Sequence, residues 1–376
     1  LKGDAIRKGV DMIAEQMKEN IINSPDTLEE TITGTKYYLS SENGDNSNDG
    51  LSPETAWKNY TPLKKAELKP GDGVFFERGG VYRGQLTVSE GVTYAAYGTG
   101  NKPVLMQSAR NYANDVLWAE TDVPNVWRLK LSVNNVGIIA FDHDITEYGN
   151  YDELYGKIMN YNTFGFMDYK DLKNDLEFYN DLNSKTLYLY SSEGNPAERF
   201  SSIEIGEKVN VISGSANDVH IDNLCVMFTG AHGMGSGTTK NRRVTNCIFS
   251  WLGGSVHSTN EWSGAAINYG NAVEIYGGCD GYYVENNWMY QIYDTGITHQ
   301  YGGGSEGDNF QENIEYYGNL IEHVFWGIEV YNSPVSGTER KTSGVHISHN
   351  VLRSGGDSWG SYVRFREKSA PLYSVT

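Results

Sequence analysis

Two glutamates and an aspartate in the second half of the chain carry the most direct chemical signal. The segments AVEIY (272–276), GITHQ (296–300), GIEVY (327–331) and, with one residue of slack, YVRFR (362–366) share one alternation of apolar and polar residues. Read as strands, they send Val273, Ile297, Ile328 and Val363 to one face and Glu274, Thr298, Glu329 and Arg364 to the other. If they stack in parallel, about 4.8 Å apart, the backbones of Glu274 and Glu329 lie roughly 9.6 Å from each other. That is near the upper end of the span of about 6.5–9.5 Å that leaves room for a water between the two carboxyls of an inverting glycosidase. Asp294, in the turn before GITHQ, leans toward the same strip. Paired with either glutamate it would give the shorter separation, about 5 Å, of a retaining enzyme. The residues leave both options open.

Around these carboxylates the same frame places Tyr276, Tyr331, Asn332, Trp326 and Trp359, side chains that can stack on sugar faces or hold hydroxyls. Arg364 is a candidate partner for an oxygen-rich ligand. His299 alternates inward, which makes it either a hydrogen-bonded core residue or a base. Asp357 follows Asn350 by the seven residues that separate Asp294 from Asn287, so it takes the equivalent turn as a third acid or a turn former. His346 and His349 have no spacing that suggests zinc.

What would stack these strands is a repeat. Asn223, Asn246, Asn287, Asn319 and Asn350 each close a short apolar strand, at steps of 23, 41, 32 and 31 residues. Repetition at that period, with alternating rather than helical patterning, predicts a β-solenoid with insertions of varying length. The asparagines are expected to form one ladder, each amide bonding its equivalent in the next coil.

The 376 residues include 43 Gly, 27 Tyr and 12 % aromatics, which suits a turn-rich β protein. The net charge of −18 argues against nucleic acid and anionic lipid as partners, and against a polyanionic substrate unless a local basic patch or calcium intervenes. No apolar run reaches the 18 or so residues of a membrane span. Cys225, Cys247 and Cys279 cannot all pair and are expected to be small core residues.

Residues 1–34 are expected to hold an amphipathic helix with Ile6, Val10, Ile13, Met17 and Ile21 on its apolar stripe, packed on the domain or over the solenoid's end. Residues 35–110 supply the first coils. Residues 111–205 break the rhythm and read as an inserted antiparallel β unit, with EFYNDLNSKTLYLY as a hairpin. Residues 206–376 form the main coils and the groove. The repeat persists to Val363, so further coils are expected beyond it. The loop of Asp45, Ser47, Asp49 and Gly50 mimics the start of a calcium loop, but Ala56 stands where a bidentate Glu is required, so a side-chain-capped turn is expected and no cofactor is indicated. GMGSG (233–237) has a phosphate loop's composition without a following helix, and is set aside.

The opening YYLSSENGDNSNDGLSPETAW, followed by LKPGD and FFERGGVYRG, resembles that of many right-handed parallel β-helix proteins of the pectate-lyase-like superfamily. NAVEIYGGCDGYYVENNWMYQIYDTGI and GIEVYN resemble carbohydrate-active members, most closely glycoside hydrolase families 120 and 141, which also carry an inserted β subdomain. The resemblance implies an acid/base role for Glu329 and, less directly, a nucleophile role for Asp294. The expectation is an extracellular glycoside hydrolase with a carbohydrate substrate. Its rivals are a polysaccharide lyase using Arg364 and His299, and a carbohydrate-binding β-helix without chemistry.

Overall fold

A computed structural model describes residues 2–360 apart from 133–134, 160, 163–164, 167, 260–265 and 303. Arg364 and the strand YVRFR lie outside the described residues.

The chain winds into a three-walled right-handed parallel β-helix. The first wall is an eight-stranded parallel sheet that begins at Lys36–Leu39 and ends at Arg340–Ser348. The second runs from Val81–Arg83 through Cys225–Thr229 and Ile248–Leu252 to Val351–Arg353, and the third includes Met234–Ser236 and Val273–Tyr276. Two long bent strands, Trp288–Tyr301 and Leu320–Asn332, belong to both the second and the third wall. Inward residues of all three walls, among them Phe76, Val244, Val284, Phe249, Met289, Val273 and Ile297, form one continuous core. Cys225, Cys247 and Cys279 are buried and unpaired with one another.

The asparagine repeat is two columns rather than one. Asn319 Oδ1 accepts from both the backbone N–H and the side-chain amide of Asn287, each at 3.0 Å, and Asn350 Oδ1 accepts the equivalent pair from Asn319 at 2.9 and 2.8 Å. In the coil before them the ladder position is Cys247, whose N–H donates to Asn287 Oδ1. Asn223 and Asn246 sit one residue earlier, in a left-handed column with Asn286, Gly318 and His349, at φ between 53° and 66°. Only a few residue types tolerate that conformation, Asn among them, so the same amino acid serves two neighbouring needs. The two columns differ in cost. Asn319→Ala leaves the buried N–H of Asn287 without its acceptor, although the Asn287 amide keeps Val244 O and Glu285 O, and it removes the Asn319 amide's own bonds to Val284 O and Asn350, so it should destabilise by on the order of 2–3 kcal/mol, whereas Asn246→Gly keeps the left-handed turn and should cost about 1 kcal/mol or less. Urea denaturation of the two variants compares them.

The N-terminal helix, Lys2–Ile22, lies along the outer face of the second wall. Its contact stripe is displaced from the one the sequence suggests: Ala14 and Ile21 are buried and Met17 partly so, while Ile6 and Ile13 are 68 % and 54 % exposed. Ala14 is the residue that allows close approach. The helix is stapled by Glu322, a fully buried carboxylate of the second wall. Arg353 Nε and Tyr151 Oη donate to it, Trp288 Nε1 donates at 2.9 Å, and Lys18 Nζ is 3.3 Å away. Arg353 also reaches Asp11 and Glu15 of the helix.

Between the early and later coils an antiparallel unit is inserted. Glu177–Asp181 and Thr186–Tyr190 form the expected hairpin, and Thr186–Tyr190 also pairs with Val126–Lys130. Val136–Phe141 pairs with Ile203–Glu207 and joins the unit to the solenoid. Its Ile139 and Phe141 enter the insert's own core, while Ile138 and Ala140 pack with Met227, Ile248 and Trp251. At the opening turn the carboxylates are engaged locally: Asp45 accepts the N–H of Ser47 at 2.8 Å and Asp49 that of Leu51 at 3.0 Å.

Candidate active site

The third wall builds the site. Its register pairs Gly235 with Glu274, Glu274 with Thr298 and Thr298 with Glu329, which places the three side chains in one outward column. Thr298 Oγ1 lies 3.4 Å from Glu329 Oε2. The next outward column is Tyr276, Gln300 and Tyr331, with the tyrosines 43 % and 46 % exposed.

Glu274 faces outward yet is only 6 % exposed, because Asn271 and His232 pack over its carboxyl. Asn271 Nδ2 donates to its Oε2 at 2.5 Å, and His232 Nδ1 is 3.1 Å from the same oxygen. That distance would make an ion pair if the imidazole were protonated, but burial pushes His232 down to about 3. The ring is therefore neutral, and its Nδ1 already accepts the backbone N–H of Asn271 at 3.0 Å. The one lone pair of Nδ1 is thus taken by Asn271, and it is the Asn271 amide that holds Glu274 Oε2. Burial, assisted by the charge of Asp294 and opposed by hydrogen bonds from Asn271 and Gln300, raises Glu274 to about 7. Burial thus favours the protonated form of the Glu274 carboxyl, while the bond from Asn271 favours the charged form.

The sequence did not single out His232, Asn271, His257 or Tyr269. His232 comes from the coil before Glu274, and its N–H is held by Asn210 Oδ1 at 3.1 Å. Gly235 makes this possible, since a Cβ there would stand 2.2 Å from Asn210 Nδ2 and 3.3 Å from the His232 ring. Tyr269 packs edge-on to His232 at 4.8 Å and against His257 at 5.1 Å. Asp294 is half-buried at the bend of its strand, its N–H bonded to Gly270 O, and its charge is felt by both His232 and Glu274.

Several expected site residues lie elsewhere. His299 points into the core, fully buried, its Nδ1 2.6 Å from Tyr316 Oη, and burial lowers it to about 4. Alternation along the strand sends it to the face opposite Glu274 and Thr298, so it cannot meet a ligand at that column. Asn332 shares that inward parity and bonds Asn309 and Thr342 at the next corner. Trp359 is 2 % exposed, wedged against Tyr293 and Tyr155, and offers no face for stacking. Asp357 has its carboxylate 3.3 Å from His323 Nδ1, on a ring stacked over Tyr151, rather than among the acids of the third wall. Trp326 stays partly buried at the bend, edge-on to Phe325.

A hollow of about 510 Å³ lies between the helix and the corner carrying Asn246 and Asn286. It contains one carboxylate, Glu19, and no second acid among the described residues that line it. The third-wall column, which brings Glu274 and Glu329 to one face, is thus the better seat for acid/base chemistry. No cluster of three or more His, Cys, Asp or Glu placed to hold a metal ion occurs among the described residues.

Fold and site together define a parallel β-helix with an outward column of carboxyl side chains on one wall. No family model matches the chain. Over 113 residues, 27 % of its length, it is 32 % identical to a lacto-N-biosidase of Bifidobacterium longum subsp. longum, and it spans 7 % of that protein. A crystal structure of a GH136 lacto-N-biosidase from Eubacterium ramulus is similar with a TM-score of 0.42 and 14 % identity, covering 87 % of this chain and 53 % of the other. A rhamnogalacturonan lyase is similar with a TM-score of 0.38 and 10 % identity, over 86 % of this chain and 63 % of its own. These proteins are carbohydrate-active enzymes, and none of the three is named as a member of families 120 or 141.

Proposed function

We propose that the protein is a glycoside hydrolase, secreted to act on a cell-wall polysaccharide or oligosaccharide. The observation that carries this reading is the outward column of Glu274, Thr298 and Glu329, with the Glu274 carboxyl buried against Asn271 and His232 and within reach of the Asp294 charge. A glycosidase needs one carboxylic acid to protonate the leaving oxygen and one carboxylate to attack the sugar or activate water. We assign the acid to Glu274 rather than to Glu329, because Glu274 has the environment that keeps a proton at neutral pH. Asp294 and Glu329 compete for the second role. Asp294, whose charge acts on Glu274, would support a retaining mechanism, whereas Glu329, two strands away and roughly 9.6 Å distant along the sheet, would support an inverting one. Tyr276 and Tyr331 stand beside the column as stacking platforms for neighbouring sugars. The likeness to families 120 and 141 read from AVEIY and GIEVYN supports this class of activity without deciding the linkage.

A hydrolysis screen over cell-wall glycans tests the proposal. New reducing ends without ultraviolet-absorbing unsaturated product support it; unsaturated product would indicate a lyase, and binding without turnover a lectin-like role. The second carboxylate is found by comparing Asp294→Ala with Glu329→Ala. Azide should restore turnover, with a glycosyl azide of changed anomeric form, only in the variant that lacks the nucleophile or base. His299→Gln, in contrast, should change activity less than about threefold, since its ring never reaches the outward column.

A further inference from the structure

Beside the acid cluster stands a cation with no acid of its own. Lys208 is half-buried, and no carboxylate pairs with it among the described residues. Its Nζ donates to the backbone oxygen of His257 at 3.3 Å and lies 5.4 Å from the centre of the Tyr269 ring. Burial alone lowers its pKa, with no nearby negative charge acting in the other direction. Arg83, Arg199 and Arg353 pair with Glu204, Asp175 and Glu322, and the deeper Arg242 and Lys102, which have no carboxylate, are each held by two oxygen acceptors, whereas Lys208 has a single carbonyl at 3.3 Å. An ammonium held partly out of water without a counter-charge is costly unless a ligand supplies one.

Its place suggests which ligand. The Tyr269 ring that carries Lys208 on one side meets His232 on another at 4.8 Å, and His232 touches Glu274 at 3.1 Å. The exposed ring of His257 packs on the same tyrosine at 5.1 Å. The Lys208 ammonium and the His257 ring thus both pack on Tyr269, at a position separated from Glu274 by the His232 ring. We propose that this position is a subsite for an anionic sugar, a uronate or a sulfated residue, whose negative group is held by Lys208 and His257 while its ring packs on Tyr269. The inference rests on the hydrolase reading for the identity of the neighbouring site, and it supplies the local basic patch that an acidic substrate would require in so acidic a protein.

Matched oligosaccharides test it: a native acidic glycan, its carboxyl-reduced form, and a sulfated glycan with its desulfated form. The wild-type protein is expected to cleave one acidic member about 10- to 100-fold faster than its neutral counterpart, the range of one charge-assisted hydrogen bond. Lys208→Gln should lose that factor on the acidic member and change little on the neutral one. The carboxyl-reduced and desulfated arms tell uronate from sulfate. Equal cleavage of acidic and neutral members, or equal loss on both in Lys208→Gln, overturns the subsite while leaving the hydrolase standing. If no glycan is cleaved, calorimetric titration with the same acidic oligosaccharides decides: binding lost in Lys208→Gln keeps the subsite and removes the hydrolase, and absence of binding removes both.

Discussion

Glu274→Gln is expected to lower glycan cleavage by about 10²–10⁴-fold, the contribution of a positioned general acid, while the β-helix stays intact by circular dichroism. The amide keeps the size of the carboxyl and can still accept from Asn271, so a collapse of the fold is not the anticipated cause of any loss. A second consequence runs the other way. Glu274 has a folded-state value near 7 against an ordinary value of 4.5, raised chiefly by burial. A carboxyl raised by folding stabilises the protein fully below the unfolded value, and that contribution is lost as pH rises through the folded one. Between pH 4.5 and 7 the wild type therefore gives up on the order of 3 kcal/mol at this residue. Glu274→Gln does not titrate, so above pH 7 it should melt at or above the wild-type temperature while being nearly inactive. Loss of activity combined with a gain in stability is the signature of a group held in a costly environment for its chemistry.

Glu322→Ala is expected to produce the largest stability loss away from the third wall, about 3–5 kcal/mol, because it leaves Arg353, Lys18, Tyr151 and Trp288 facing an empty position in a buried site. The effect should concentrate on the helix, which depends on this carboxylate for its anchor. Limited proteolysis should cut within residues 2–22 faster in the variant, and the melting transition should broaden or split, since each coil of a solenoid is stabilised mainly by its neighbours. Glu322→Gln, which retains an acceptor for Trp288 Nε1 and Tyr151, should lose less. A variant with unchanged melting and unchanged cleavage of the helix would show that Ala14 and Ile21 alone hold it.

The register of the third wall was legible in AVEIY, GITHQ and GIEVY because strand alternation has a period of two, and parallel stacking preserves it from coil to coil. For the same reason the sequence alone places Glu274, Thr298 and Glu329 in one column, as the register does. The asparagine columns were harder. Asn286 and Asn287 are adjacent and play different parts, one left-handed and one in the ladder, and a strand ending in a single Asn does not say which part it takes. His232 and Asn271 were missed because their meaning lies in tertiary proximity: they are 39 residues apart and meet only when one coil is laid on the next. Trp359 looked like a sugar platform, since an indole's composition is the same whether it is a platform or a plug, and only packing against Tyr293 decides. The helix stripe shifted because a small residue, Ala14, sets the line of closest approach, which large apolar residues at 6 and 13 do not reveal.

The most direct test is the pH dependence of reducing-end release by the wild-type protein on the best glycan of a screen. A proton donor at Glu274 predicts that kcat/KM falls tenfold per pH unit above a midpoint near 7, and that no unsaturated product accompanies the ends released. Release that continues undiminished to pH 9, or a midpoint in the ordinary carboxylate range near 4.5, would contradict a proton held on Glu274, and the absence of any release would remove the glycosidase itself.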